Sequence, residues 1–186
     1  MTIWRGRTPD GCHRVAIEAT ARRTLAKLCR EAGQKETGGI LIGEYSADLL
    51  WAIVREATPP PSDSLRGPYR FVRGIAGLAE MLRRRWHSRK RRHYLGEWHF
   101  HPSNVVEPSA EDFEQMARIA ETDSYECRDP ILVIVGKAKR AGSRPLQSRS
   151  LRAFVCPRGA PAIEMIAEAE TSVHEPNGDP VRRSSS

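Results

Sequence analysis

Residues 99–112 contain side chains whose types and spacing could bind a metal ion. His99 and His101 are separated by one residue at the end of an apolar segment that has the pattern of a β-strand. Alternate side chains of a strand point to the same face, so the two imidazoles can converge on one point. A proline then ends the strand, and the chain restarts as a helix with Ser109 at the N-cap and Asp112 in the first turn. This arrangement can direct the carboxylate of Asp112 back toward the imidazoles.

Two imidazoles and one carboxylate form a ligand set that suits zinc. Three such ligands leave a fourth tetrahedral position for water, as in catalytic rather than structural zinc sites, and a water molecule there can ionise near neutral pH. Each residue also has an ordinary interpretation, because single histidines are usually structural, while Ser109 and Asp112 could simply cap a helix and complement its dipole. Two histidines at strand spacing beside an aspartate favour metal binding.

The surrounding sequence predicts a mixed α/β fold. Apolar residues recur at helical spacing in three segments, and shorter apolar runs bounded by turn residues have the pattern of strands. Residues 58–73 contain four prolines and no periodicity, which predicts a long loop of the kind that often has a function. Predicted helices cover residues 19–32, 74–90 and 109–121, and predicted strands cover residues 38–43, 50–56, 94–100, 131–135 and 151–156, of which the first two form a hairpin.

Length and composition are those of one ordinary domain. The chain has 186 residues, 39% of them hydrophobic, which is enough for a core, and a formal net charge of +7. Residues 171–186 are polar and cannot pack a core, so we predict one domain over residues 1–170 and a disordered tail after it. No apolar run approaches the roughly 18 residues of a membrane span, and the N-terminus lacks a signal-peptide core, which predicts a cytoplasmic protein without a membrane partner.

The motifs resemble the signature of the JAMM metallopeptidases, which are also known as JAB/MPN or Mov34/PAD-like proteins. In that family H-x-H-P is followed after six residues by S-x-x-D, and here His99-Phe100-His101-Pro102 is followed after six residues by Ser109-Ala110-Glu111-Asp112. The upstream Glu36-Thr37-Gly38-Gly39 is similar to the family's E-T-G-G segment. A match of four parts in the right order is highly specific.

This resemblance implies both a fold and a set of residue roles. The expected fold is a single JAB/MPN domain of the cytidine-deaminase-like type, with a curved mixed β-sheet flanked by helices. His99, His101 and Asp112 would hold one catalytic zinc ion, Glu36 would act as general base, and Ser109 would help to stabilise the oxyanion. A carboxylate near the metal can pass a proton to the leaving amine, and a hydroxyl can donate to developing negative charge.

The resemblance also implies a class of substrate. Family members hydrolyse peptide or isopeptide bonds after the C-terminus of ubiquitin or a ubiquitin-like protein, and the chain resembles compact prokaryotic members that accompany E1- and E2-like enzymes in antiviral operons such as CBASS. We therefore expect a deconjugating or processing peptidase, with the loop of residues 58–73 as one wall of a groove for the substrate's C-terminal tail. Two alternatives are a peptidase of sulfur-carrier or cysteine metabolism and an MPN scaffold that has lost its metal.

Two further features have several interpretations. Glu97 shares a strand face with His99, so it could be a surface charge, a substrate contact or an acceptor that orients an imidazole, and the first two are favoured. The basic run of residues 83–93 contains an aromatic residue, as nucleic-acid-binding segments do. A cationic helix C-terminus is also favourable against the helix dipole, so we expect a solvated face or an acidic protein partner rather than nucleic acid.

Overall fold

A curved mixed β-sheet of nine strands organises the part of the chain that the computed structural model describes, residues 3–103, 106–138 and 149–168. Two further short strands pair with each other beside it. In chain order, the strands are β1 (Trp4–Arg7), β2 (Arg14–Ile17), β3 (Thr37–Tyr45), β4 (Trp51–Ala57), β5 (Leu65–Arg66), β6 (Phe71–Val72), β7 (His93–Phe100), β8 (Ile131–Ala138), β9 (Arg149–Val155), β10 (Ile163–Glu164) and β11 (Ile166–Ala167).

The order of strands places β7 near the middle of the sheet. The spatial order is β10-β9-β8-β7-β3-β4-β2-β1-β11. The pairs β2 with β4 and β7 with β8 are parallel, and the other neighbouring strands with a described pairing are antiparallel. Since β7 has neighbours on both sides, its backbone is fixed by two hydrogen-bonded ladders, and side chains at its end are held rigidly.

Helices cover both faces of the sheet. Helix α1 (Ala19–Ala32) packs Leu25 and several smaller residues against one face, in a core that includes Trp98 and Phe100. On the other face, α2 (Leu78–Trp86) and α3 (Ala110–Glu121) contribute to a second core around Met116 and Leu132. Burial on both faces explains why β7 and β8 consist almost entirely of buried residues.

A bulge in β7 sets which side chains face α3. The register between β3 and β7 shifts at this point, and Gly96 has a φ of 149°. A Cβ atom at Gly96 would collide with the backbone of Ile131, so only glycine fits between the two strands. Beyond the bulge the alternation places Trp98 and Phe100 in the core beside α1, and it directs Glu97 and His99 toward α3.

The predicted fold class is confirmed, and the helix at residues 19–32 has the predicted bounds. The predicted hairpin is also confirmed, because β3 and β4 pair in antiparallel fashion. The second helix is shorter than predicted. Gly77 adopts a left-handed conformation, so the helix begins at Leu78. Ile75 is exposed, and the partly exposed ring of Trp86 stacks on His93.

Two other expectations about the elements were incomplete. The loop at residues 58–73 contains the short antiparallel pair of β5 and β6, and the sequence analysis did not identify β1 or β2. Both missed strands are only four residues long and contain arginine, which hides their alternation. The predicted tail, residues 171–186, lies outside the described residues. None of the helices that the structure describes is long and apolar enough to cross a bilayer.

Candidate metal centre

His99, His101 and Asp112 come together at the end of β7. Each offers one ligand atom, and these atoms all lie within 4.8 Å of one another. His99 is the second-last residue of β7 and is buried. His101 follows the strand, where its backbone N–H donates to the carbonyl of Val135 at 2.9 Å and keeps it beside β8. The sequence prediction that two imidazoles and this carboxylate share one location agrees with this geometry.

Helix α3 holds Asp112 in a fixed orientation through a capping box. The backbone N–H and the hydroxyl of Ser109 donate to Asp112 Oδ2 at 2.7 and 2.8 Å, and the N–H of Asp112 donates to Ser109 Oγ at 3.1 Å. The other oxygen, Asp112 Oδ1, lies 2.5 Å from His99 Nδ1. These bonds orient the carboxylate toward the imidazoles without help from a ligand.

The electrostatics of the group follow from burial and proximity. Burial alone lowers the pKa of His99, but the interactions of its ring with the carboxylates of Asp112 and Glu97 outweigh burial and raise the pKa to about 9. Burial raises the pKa of Asp112, and its interactions with His99 and Ser109 more than offset this and lower it to about 2. His101 has a lowered pKa because it is partly buried. Metal binding requires a deprotonated imidazole, so a cation bound by these residues would displace a proton from His99.

Glu36 lies immediately before β3, and its pKa responds to the charges of Asp112 and His99. Burial and, to a smaller extent, the negative charge of Asp112 together raise its pKa to about 7, although the charge of His99 acts in the opposite direction. Its backbone N–H donates to the carbonyl of Gly67 at 2.7 Å, which fixes this residue beside the turn between β5 and β6. A half-buried carboxyl group that titrates near neutral pH can accept and return a proton.

The glycine that follows Glu36-Thr37 permits the close approach of β3 to the ligands. A Cβ atom at Gly38 would lie 2.5 Å from Phe71 Cε1 and 2.9 Å from His99 Cδ2, and it would also collide with the backbone carbonyl of Trp98. No side chain fits there without displacing the imidazole. The E-T-G-G segment therefore positions Glu36 and makes room for His99.

The donors of this group fit a divalent metal ion. Two imidazole nitrogens and a carboxylate oxygen converge from two elements that are rigid in themselves, and Asp112 keeps a hydrogen-bonded orientation that leaves Oδ1 directed at His99. The group can therefore hold a metal ion between the end of β7 and the first turn of α3.

Glu97 lies behind His99 and is completely buried, so the expectation of a surface charge was wrong. Arg73 Nε donates to Glu97 Oε1 at 2.6 Å, and Gln115 Nε2 donates to Glu97 Oε2 at 2.6 Å. Sequence reasoning missed Arg73 and Gln115. The only signal for Glu97 was its position on the ligand-bearing face of a strand that is otherwise apolar, and Arg73 carried none, because it follows a segment without periodicity.

The basic run at residues 83–93 forms surface ion pairs. Arg83 and Arg84 lie 2.7 and 3.6 Å from the carboxylate of Glu80, and both arginines are largely exposed. Arg85 and Arg92 pair with the partly buried Glu56 at 2.9 and 2.6 Å. These contacts agree with the interpretation of this run as a solvated face.

Comparison with known proteins gives one family and two curated relatives. The sequence model of the family described as prokaryotic homologs of the JAB domain matches residues 18–152. A protein of Enterobacter hormaechei subsp. hoffmannii (strain UCI 50), named CD-NTase/cGAS isopeptidase, is 42% identical over 151 residues, which cover 81% of this chain and 79% of the relative. A protein of the same name from Pseudomonas aeruginosa (strain BWHPSA011 / Pa011) is 31% identical over 103 residues, 55% of this chain and 63% of the relative.

A solved structure has a related fold. The solution structure of protein DSY2949 from Desulfitobacterium hafniense superimposes with a TM-score of 0.53 over 80% of this chain and 87% of its own. Its sequence identity of 22% means that the likeness concerns the arrangement of elements alone.

Proposed function

We propose that this chain, which belongs to the family of prokaryotic JAB-domain proteins, is a zinc-dependent isopeptidase that cleaves after the C-terminus of a ubiquitin-like protein. The observation that carries the proposal is the convergence of His99, His101 and Asp112 beside Glu36. Two neutral imidazoles and a carboxylate form one of the ligand sets that hold catalytic zinc in hydrolases. A zinc ion held by these three residues would activate water and polarise the scissile carbonyl.

Glu36 is the proposed general base. Its carboxylate accepts a proton as the oxygen of water forms a bond to the carbonyl carbon, and it then delivers that proton to the amine nitrogen as the C–N bond breaks. The products are a carboxylic acid and an amine, so atoms and charge balance without a covalent enzyme intermediate. The raised pKa of Glu36 supports this role, because a group that titrates near neutral pH can both accept and return a proton.

Ser109 is the proposed donor to the oxyanion. Its hydroxyl lies 2.8 Å from Asp112 Oδ2 and is therefore adjacent to the proposed ligand set. Ser109 is the N-cap residue of α3 and is exposed at the protein surface. The hydroxyl makes two hydrogen bonds in this position, because it donates to Asp112 Oδ2 and accepts from the N–H of Asp112. Donation to the oxyanion requires its hydrogen to turn away from Asp112 as negative charge develops on the substrate.

The substrate is proposed from the family and from the surface near Glu36. Both curated relatives are named isopeptidases of CD-NTase/cGAS, and we extend that reaction class to this chain. The β5–β6 hairpin lies next to Glu36 and presents two exposed apolar side chains, Leu65 and Tyr69. An extended C-terminal tail can bind along such a hairpin by strand addition. E1- and E2-like enzymes of the same antiviral operon are proposed partners, and the proposed location is the cytoplasm.

The alternatives differ in specific ways. A peptidase of sulfur-carrier metabolism would use the same residues, and the name of the relatives favours the isopeptidase. A metal-free scaffold would have no need for three ligand residues gathered within 4.8 Å. The gathered ligands favour an enzyme.

The test is cleavage of defined conjugates by the purified protein. We expect hydrolysis of an isopeptide that links the C-terminus of a genome-neighbour ubiquitin-like protein to a lysine, inhibition by a chelator, and recovery when zinc is restored. A conjugate that contains a CD-NTase and a carrier–cysteine adduct are the comparison substrates. Hydrolysis of the carrier–cysteine adduct alone would replace the proposal by the sulfur-carrier function, and hydrolysis unaffected by the chelator would refute zinc dependence.

A further inference from the structure

We propose that Glu97 is a positioning residue that orients His99 for metal binding, and that Arg73 holds Glu97 in place. The inference rests on the proposed metal function of His99. It assigns a task to a carboxylate that is 0% exposed in the interior of the protein, where an ionised group without a partner is very unfavourable.

The two nitrogens of His99 face different carboxylates. Nδ1 faces Asp112, which is itself a candidate ligand, at 2.5 Å. Nε2 lies 3.5 Å from Glu97 Oε2 and has no hydrogen-bond partner among the described residues. A histidine that binds a metal through one nitrogen usually donates the hydrogen of its other nitrogen to a carboxylate, which fixes the ring and its tautomer. Glu97 is placed for that contact, and a shift of a few tenths of an ångström completes the bond.

Three neighbours hold Glu97 in this position. Arg73 donates to Oε1 at 2.6 Å, and Gln115 of α3 donates to Oε2 at 2.6 Å. Tyr94 OH also approaches Oε1, at 3.4 Å. Arg73 itself is anchored, because its Nη2 donates to Tyr125 OH at 2.9 Å. The carboxylate is therefore held in one orientation and cannot rotate away from His99.

The segment that carries Arg73 also contacts His99 directly. Phe71 of β6 packs its ring edge-to-face against the imidazole of His99, with the ring centroids 5.3 Å apart. Phe71 and Arg73 are two residues apart, so one short stretch packs against the ring and also secures the carboxylate behind it. The hairpin beside Glu36 and the orientation of His99 are thus mechanically linked.

The test measures zinc affinity of the full chain by competition with a chromophoric chelator, together with the absorption spectrum of the cobalt-substituted protein. Glu97→Gln keeps the shape and removes the charge, and we expect zinc affinity to fall about ten- to a hundred-fold with an altered cobalt spectrum. The control is Glu56→Gln, since Glu56 is a partly buried carboxylate that also pairs with arginine, here Arg85 and Arg92, and none of its described contacts is with a residue of the metal centre. We expect the control to bind zinc within about two-fold of the unaltered protein, because outer-shell effects are confined to the partners of the ligands.

A second variant keeps the test decisive where Glu97→Gln does not fold. Gln115→Met removes the partner of Glu97 on α3 and leaves Arg73 in place, and we expect a several-fold loss of zinc affinity. Unchanged affinity and an unchanged cobalt spectrum in the folded variant would overturn the inference alone. Absence of zinc binding by the unaltered protein would overturn the inference together with the proposed function.

Discussion

Two groups of charged residues in this protein differ in how they are neutralised. Around His99, the charged and ionisable side chains are buried and point at one another from β7, α3 and the segment after β6. On α2, arginines pair with carboxylates near the surface, and the pairs of Arg83 and Arg84 with Glu80 are open to solvent. Only the first group converges on one point.

The difference separates a candidate site from ordinary surface charge. Exposed ion pairs contribute about 0–1 kcal/mol each, because water screens them and the long side chains lose entropy on pairing. Buried charges are expensive, and a fold that retains several of them generally does so for a purpose such as ligand binding. The pKa values of His99, Asp112 and Glu36, about 9, about 2 and about 7, are displaced by that burial and by mutual contact. We therefore expect substitutions in the buried group around His99 to change function and stability more than substitutions among the exposed pairs of α2.

The largest effect is expected for Asp112→Ala, because it removes a proposed metal ligand and one half of the capping box together. Bound zinc and hydrolysis should both fall to background, measured by metal analysis of purified protein and by conjugate cleavage. The metal-free protein should also lose about 1 kcal/mol of stability from the broken capping box. The control is Glu114→Ala on the same helix, whose exposed side chain pairs only weakly with Arg118 at 3.9 Å. A full zinc ion in the Asp112→Ala protein would refute the ligand assignment.

The next largest effect is expected for Glu36→Gln, which should separate metal binding from chemistry. Zinc content should remain, and the rate of hydrolysis should fall about 10²- to 10⁴-fold, as is usual when a general base is removed. Glu31→Gln is the matched control, because Glu31 is a largely exposed carboxylate near the end of α1. Robust turnover by the Glu36→Gln protein would remove Glu36 from the mechanism.

The sequence predicted the parts of the site that depend on local spacing. Alternation along β7 placed His99 and His101 together, and the sequence also predicted Ser109 as the N-cap of α3 with Asp112 in the first turn. The bounds of α1 followed from its apolar periodicity in the same way. These features depend on contacts between residues close in the chain or on a motif, so the sequence alone contains them.

The parts that the sequence did not predict depend on contacts between distant segments. Arg73 binds a carboxylate 24 residues away, and its own segment has no periodicity that would indicate an inward-pointing arginine. Without Arg73, Glu97 has the pattern of a surface residue, which explains the wrong expectation of its exposure. The strand β1 was missed because it is only four residues long and contains two arginines, and because one of its partners, β11, comes from the other end of the domain in sequence.

A smaller effect is expected for Gly38→Ala, which tests how closely β3 approaches the ligands. The added Cβ would lie 2.5 Å from Phe71 Cε1 and 2.9 Å from His99 Cδ2. Overpacking of this kind typically costs about 1–3 kcal/mol, to be measured by chemical denaturation of the metal-free protein. Gly67→Ala is the control, because the nearest atom to its added Cβ is Arg70 O at 3.6 Å. Equal stability of the two variants would mean that the contact at Gly38 is looser than the structure places it.

The smallest effect is expected for Arg84→Gln on the exposed side of α2. The Arg84 guanidinium lies 3.6 Å from Glu80, and both side chains are open to water, so the pair is screened. The free energy of unfolding should change by less than about 0.5 kcal/mol, and zinc content and hydrolysis of a small isopeptide should not change. With a whole conjugate as substrate, a higher KM at constant kcat would instead place α2 in contact with an acidic protein partner. Such a result would divide the two charged groups by what they bind, one a metal ion and the other a protein surface.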